Sequence, residues 1–122
     1  MEILLVEPEK APEVKEINGE LRTMQELVDG MIQAVYPFDD PVALVCNDEG
    51  KLLGLPGNRA LRDQQGKPYD IIFGTFFLCG APSDCDHFTS LTDEQIEKFK
   101  KNFQVPEMFL NVDGQIVVLQ IL

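Results

Sequence analysis

Residues 69–79 read YDIIFGTFFLC, and this stretch decides the fold. β-Branched and aromatic side chains dominate it, and Asp70 is its only charged residue. Such a composition is typical of a strand at the centre of a sheet, covered on both faces. We therefore predict one central, buried strand from Tyr69 to Cys79, which ends at the Gly80–Asp84 turn.

Shorter apolar runs elsewhere predict further strands, and turn residues separate them. The runs Ile3–Val6, Val14–Ile17, Ile32–Phe38 and Val42–Cys46 are candidates. An N-D-E-G turn follows the last run, so Lys51–Leu55 is predicted to complete a hairpin with it. Asn58 is an acceptable N-cap, which favours a short helical turn beginning there.

Two helices are predicted from capping-box spacings. Thr23 and Glu26 have the T-x-x-E spacing in front of an apolar stripe, and Gly30 is a plausible end for that helix. Thr92 and Gln95 have the related T-x-x-Q spacing before a second apolar stripe. Lysines lie in the last turn of this second helix, where the helix dipole stabilises positive charge.

The C-terminus reads as a hairpin, with strands at Glu107–Val112 and Gln115–Leu122 around an Asp-Gly turn. Tight hairpins imply antiparallel neighbours. The predicted class is α+β: a mostly antiparallel, curved sheet of about six to eight short strands with two short helices. At 122 residues, a single compact domain over 1–122 is expected.

Composition excludes several classes of protein. The formal net charge is −11, and the basic residues are scattered, so direct nucleic-acid binding is not expected. The longest apolar stretch, Ile71–Ala81, is about half of what a membrane-spanning helix needs. An odd number of cysteines and the absence of a signal-like N-terminus favour reduced thiols and a cytoplasmic location.

Two neighbouring motifs carry a family resemblance. Asn47-Asp48-Glu49-Gly50-Lys51 has the order N-x-E-G-K, and Leu55-Pro56-Gly57-Asn58-Arg59-Ala60-Leu61 has the order L-P-x-N-R-A-L. Together with the Ile71–Phe76 run, they resemble the bacterial family catalogued as domain of unknown function 3846. The resemblance implies an origin in bacterial chromosomes, plasmids, phages or other mobile elements, and a special role for the Asn58-Arg59 segment. It implies no reaction.

The Asn58-Arg59 segment is the leading candidate ligand site. Its flanking glycines permit close approach of backbone to a ligand, and Asn and Arg side chains bind carboxylates or phosphates. Arg62 lies on the same side if a helical turn forms, and Asn47 in the N-D-E-G turn is the fourth candidate. The alternative is structural: Arg59 pairs with an internal acid such as Asp70, and Asn58 caps a turn.

Cys79, Cys85 and His87 form a C-x5-C-x-H array that is a weak candidate for a metal site, with Cys46 a further ligand in space. The spacing matches no structural zinc motif, and cysteines in apolar strands usually act as small hydrophobic residues. His87 is the only histidine, so no acid–base constellation is evident. We expect no cofactor and lean against an enzyme.

Three functions remain open from the sequence. The preferred one is a non-enzymatic binding or accessory module that acts through a protein partner or a homo-oligomer. The alternative is a small-molecule or anion-binding domain, enzymatic or not, centred on Asn58-Arg59. The third is an acidic mimic of DNA that acts as an anti-restriction decoy, which requires the acids to gather on one face.

Overall fold

The computed structural model describes residues 1–121, which form nine strands and two helices. In chain order these are β1 (Glu2–Val6), β2 (Glu13–Glu16), α1 (Leu21–Val28), β3 (Ile32–Val35), β4 (Val42–Asn47), β5 (Gly57–Arg62), β6 (Pro68–Phe73), β7 (Phe76–Gly80), α2 (Asp93–Asn102), β8 (Glu107–Val112) and β9 (Gln115–Gln120). The α+β class is therefore confirmed.

The strands of the described residues form three antiparallel sheets rather than one. The main sheet has five strands in the order β2-β1-β7-β4-β3, and β5–β6 and β8–β9 are separate hairpins. β7 lies at the centre of the main sheet and is buried along its whole length. It is the second half of the predicted central strand.

The predicted strand from Tyr69 to Cys79 is wrong in one respect, because it is broken at Gly74 and Thr75. Gly74 has φ 85°, and its N–H donates to the Pro56 carbonyl at 2.7 Å. A Cβ at Gly74 would lie 2.7 Å from Leu55 Cδ1. This turn lets the chain leave the β5–β6 hairpin and enter the main sheet.

Two apolar layers cover the main sheet. On one face, Leu4, Leu44 and Leu78 pack with the α2 residues Ile96 and Phe99, in a cluster that also includes residues of β5 and β6. On the other face, buried residues of the same strands pack against Met24 and Val28 of α1. Successive side chains of a strand point to opposite faces of the sheet, so each strand contributes to both layers. The β8–β9 hairpin packs outside β5.

Both predicted helices are present, but only one begins as expected. Thr92 forms the capping box with Gln95, through bonds of 3.0 and 3.1 Å. Thr23 caps nothing: α1 begins at Leu21 after Glu20, whose side chain makes no capping bond. Among residues 1–121, neither helix has the length and apolar character that a bilayer crossing requires.

Two local predictions around the N-D-E-G turn are wrong. Residues 51–54 form turns rather than a strand, and β4 pairs with β3 and β7 instead. Asn58 begins no helical turn, because it lies inside β5. The C-terminal hairpin is confirmed over Glu107–Gln120; residue 122 lies outside the described residues.

Candidate functional site

Asn58 is a buried bridge between three segments of backbone. Its Nδ2 donates to the carbonyl oxygens of Val6 at 2.8 Å and Gly74 at 2.9 Å. Its Oδ1 accepts a bond of 2.9 Å from Nη1 of Arg59. All three polar contacts are internal, so this amide joins β5 to β1 and to the β6–β7 turn.

Arg59 is 1% exposed and is held by carbonyl oxygens. Its Nε and Nη2 both donate to the Phe103 carbonyl, at 3.2 and 3.0 Å, and Nη2 also reaches the Lys10 carbonyl at 2.6 Å. Nη1 donates to the carbonyl and the side-chain oxygen of Asn58. The guanidinium is thus surrounded by acceptors from the chain itself.

Burial sets the electrostatics of this guanidinium. It lowers the pKa of Arg59 from its ordinary value, and the negative charge of Glu107 partly opposes that effect. Asp70, the acid suggested by the sequence, makes no hydrogen bond to Arg59. The guanidinium therefore does not face an open pocket, which is the geometry an anion site here requires.

Arg62 forms an ion pair with the buried Glu107 of β8, and its Nη1 donates to the Gly66 carbonyl at 3.3 Å. Glu107 also accepts a 3.0 Å bond from the Ala60 N–H. Sequence reasoning missed Glu107. Its position at the start of the apolar run Glu107–Leu110 is the signal that could have found it, because a buried carboxylate needs a partner.

Asn47 is also engaged internally. Its Nδ2 donates to the carbonyls of Val28 and Asp29, at 3.0 and 3.2 Å, and its Oδ1 accepts from the Glu49 N–H at 2.8 Å. It closes the C-terminus of α1, where helix carbonyls lack internal donors. Of the four candidates, the structure brings only Asn58 and Arg59 into contact, and each of the four has a structural partner.

The Cys79, Cys85 and His87 array is split between two environments. Cys79 is buried in β7, and burial raises the pKa of its thiol to about 12. The Cys85 Sγ lies 3.4 Å from both ring nitrogens of His87, on an exposed loop. A hydrogen bond from His87 lowers the pKa of Asp86. Within residues 1–121, no three His, Cys, Asp or Glu side chains are grouped to hold a metal ion.

The acidic residues near the N-terminus are partly neutralised. Glu7 lies 3.7 Å from Lys10 Nζ, and Glu16 lies 2.7 Å from the terminal ammonium. These pairs interrupt the negative charge of residues 7–20. The decoy hypothesis stays a prediction, and these contacts lend it no support.

An open groove of about 730 Å³ lies at the β3 end of the main sheet. It is bounded by β3, by β6 and by β9, with Val35, Ile71 and Val118 among its lining side chains. The buried thiol of Cys46 lies at the groove, and the exposed carboxylates of Asp48 and Asp70 line it. The groove has a size that ligand sites commonly have.

The β8–β9 hairpin presents a row of exposed apolar side chains on one of its faces. We call "the outer face" the five apolar side chains on the side of the hairpin away from β5, each 38–50% exposed: Met108, Leu110, Val112, Val117 and Leu119. The register pairs Met108 with Leu119 and Leu110 with Val117. Among residues 1–121 no charged side chain shares this face, because Glu107 points to the opposite side and is buried.

The inner face of the same hairpin is partly covered by β5. Phe109 lies over Gly57 of β5, where an added Cβ would be only 2.5 Å from its Cδ2 atom. Ile116 and Val118 line the groove. The hairpin is therefore apolar on both faces. The inner face is covered at Phe109 but stays 53% exposed at Ile116, while all five outer-face side chains are exposed.

Comparisons with known proteins agree with the motif resemblance. A family model described as Domain of unknown function (DUF3846) matches residues 1–104. No curated protein and no solved structure shows significant similarity to the chain. The match ends before β8 begins, so the outer face lies beyond it. The chain belongs to the DUF3846 family.

Proposed function

We propose that this chain is a non-enzymatic, cytoplasmic accessory protein of bacterial or mobile-element origin. It acts through association with another protein, and its outer face binds a second copy of the chain. The observation that carries this proposal is the outer face itself: five exposed aliphatic side chains with no charge among them. Exposed apolar patches of this kind are typical of interaction sites. The three free thiols accord with a reducing compartment.

The lack of charge on the outer face lets a second copy occupy it. Each copy has a net charge of −11, so most ways of bringing two copies together place acidic residues next to each other. The outer face avoids that repulsion, and a two-fold axis lets it pack on itself. The hairpins of the two copies then stack about 10 Å apart as a two-layer sandwich. Each hairpin covers the open face of the other, and a two-stranded hairpin with an open face is only marginally stable.

The expected affinity is modest. Completing the burial of five half-exposed side chains contributes about 1 kcal/mol each, or about 10 kcal/mol for both copies. Association itself costs about 4–15 kcal/mol. At the lower end of that cost the net gain is about 6 kcal/mol, so we expect a reversible dimer with a dissociation constant of about 40 µM. Its population is therefore strongly dependent on concentration.

Sedimentation velocity over about 1–300 µM tests the proposal. Wild type is expected to shift from monomer to dimer, and the double variant Leu110→Glu/Leu119→Glu to stay monomeric. The matched control, Leu52→Glu/Leu53→Glu, changes two exposed leucines outside the hairpin and adds the same charge. It is expected to behave as wild type apart from slight general repulsion.

Val112→Glu provides a second test, since Val112 is half exposed and forms the last pair of the hairpin, with Gln115. Circular dichroism checks that each variant is folded. A wild-type chain that is monomeric throughout, or outer-face variants that dimerise as wild type does, would overturn the proposal.

A further inference from the structure

The two edges of the main sheet differ in how they are protected. β2 forms one edge, and three of its four residues are charged: Glu13, Lys15 and Glu16. Charged side chains on an edge strand hinder the addition of another strand. β3 forms the other edge with the sequence Ile-Gln-Ala-Val and carries no charge. Only the β3 edge lacks this protection.

Backbone groups of β3 are available for strand pairing. The Asp48 N–H donates to the Met31 carbonyl at 2.8 Å, and Ile32 is opposite Asn47 in the register. In an antiparallel pair, the backbone groups of successive residues point alternately toward and away from the neighbouring strand. The N–H and C=O groups of Gln33 and Val35 therefore bond to β4. The N–H and C=O groups of Ile32 and Ala34 point away from it. No strand among residues 1–121 pairs with this side of β3.

The open edge adjoins the 730 Å³ groove. Val35 and Tyr36 line it from β3 and the residue after it, Tyr69 and Ile71 from β6, and Val118 from β9. A strand added to β3 would send every second side chain to the groove side of the sheet. Backbone pairing would supply affinity, and the apolar walls would select those alternate side chains.

Charge at the groove indicates the chemistry of the added strand. Asp48 and Asp70 line it, and Lys51 is the single cation that the described residues place there. Burial raises the pKa of the Cys46 thiol at the groove to about 11, and the negative charges of Asp48 and Asp70 raise it further. Both carboxylates therefore act on a group at the groove. The whole chain is also strongly acidic.

We propose that the β3 edge and the adjoining groove bind an extended segment of a partner protein, in which apolar residues alternate with lysine or arginine. The segment extends the main sheet to six strands. This surface is separate from the outer face of the β8–β9 hairpin, so the proposal does not depend on dimerisation.

The probe is a fluorescein-labelled peptide of alternating valine and lysine, and fluorescence anisotropy measures its binding. Ala34→Pro is the decisive variant, because it removes an N–H that points to the open edge and none that β4 uses. Val14→Pro is its matched control, since Val14 is opposite Leu4 and its N–H faces the charged edge. We expect at least about a tenfold loss of affinity for Ala34→Pro and less than about twofold for Val14→Pro.

A further peptide separates strand pairing from simple charge attraction, and two further variants test where the peptide binds. A peptide of the same composition with a central proline is expected to bind at least about tenfold more weakly. Tyr36→Lys, a change at an exposed side chain beside the edge, is expected to weaken binding even if Ala34→Pro fails to fold. Leu110→Glu/Leu119→Glu is expected to keep the wild-type affinity for the peptide, apart from a slight general attraction by its two added charges.

The proposal is overturned by any of three results. One is the absence of binding to wild type. Another is equal affinity for the proline-interrupted peptide, which would indicate charge attraction only. The third is an equal loss in Ala34→Pro and Val14→Pro, which would place the peptide elsewhere.

Discussion

Arg59 and Phe103 are joined by two hydrogen bonds from one guanidinium to one carbonyl oxygen, at 3.2 and 3.0 Å. Phe103 is the C-cap of α2, where carbonyl groups lack donors within the helix. The same guanidinium reaches the Lys10 carbonyl in the β1–β2 connection. A single buried side chain of β5 therefore fixes the end of α2 and a loop of the main sheet.

Arg59→Met is expected to lower the free energy of unfolding by about 2–4 kcal/mol. The substitution leaves the carbonyls of Phe103 and Lys10 without their donors, which costs about 1–3 kcal/mol each, and relief of the buried charge offsets part of that cost. Urea unfolding followed by circular dichroism measures the change. Arg22→Met, at an exposed ion pair with Glu26, is the control and is expected to change stability by less than about 0.5 kcal/mol. Unchanged stability in Arg59→Met would contradict this structural role.

The Asn58-Arg59 pair shows where reasoning from the sequence ends. Its polarity and its flanking glycines are typical of an exposed loop, but the structure places both residues inside a strand. The acceptors that make burial possible belong to Val6, Lys10, Gly74 and Phe103, which are remote in the chain. Backbone carbonyls at such separations leave no residue pattern, so the sequence could not indicate them.

Local signals succeeded where all the required contacts are local. The Asp113-Gly114 turn predicts the β8–β9 hairpin, and both residues have positive φ. The N-D-E-G turn failed because the partner of β4 is decided by the whole sheet: β4 pairs with β3 before it and β7 after it. The groove and the open β3 edge likewise depend on strand order, which short motifs do not encode.

Thr92→Ala and Thr23→Ala form a matched pair, because both threonines have the spacing of a capping box and only Thr92 forms one. Loss of the Thr92 cap is expected to cost about 1 kcal/mol. Thr23 lies inside α1, where alanine has the higher helix propensity, so Thr23→Ala is expected to be neutral within about 0.5 kcal/mol. Urea midpoints of the two variants measure the difference. Equal losses would contradict the structure, in which Thr23 lies inside α1 and caps nothing.

Gly57→Ala is expected to destabilise the protein by about 1–3 kcal/mol, because the new Cβ would be 2.5 Å from Cδ2 and 3.0 Å from Cε2 of the Phe109 ring. The ring is rigid, so the β8–β9 hairpin must move away from β5. Phe109→Leu replaces the ring with a smaller, more flexible side chain. In the double variant we expect a loss smaller than the sum of the single losses by at least about 0.5 kcal/mol. Strict additivity would contradict the contact.

The buried thiols of Cys46 and Cys79 predict a loss of stability in alkali. Burial raises the pKa of Cys46 from 9.0 to about 11 and that of Cys79 from 9.0 to about 12. Between pH 9 and the raised pKa, the unfolded chain has lost the thiol protons and the folded chain has kept them. The free energy of unfolding therefore falls as pH rises above about 9. From pH 9 to 10 each thiol accounts for about 1 kcal/mol, or about 2 kcal/mol together.

Urea unfolding under reducing conditions measures this dependence in wild type and in Cys46→Ala/Cys79→Ala. The variant starts from a lower stability because it loses packing, but its slope between pH 9 and 10 is expected to be smaller by about 2 kcal/mol. Cys85→Ala is the control, since Cys85 is partly exposed and its substitution leaves both buried thiols in place. Its slope is expected to match that of wild type. Parallel slopes in wild type and the double variant would mean that water reaches both thiols in the folded protein, and would place Cys46 within the open part of the groove.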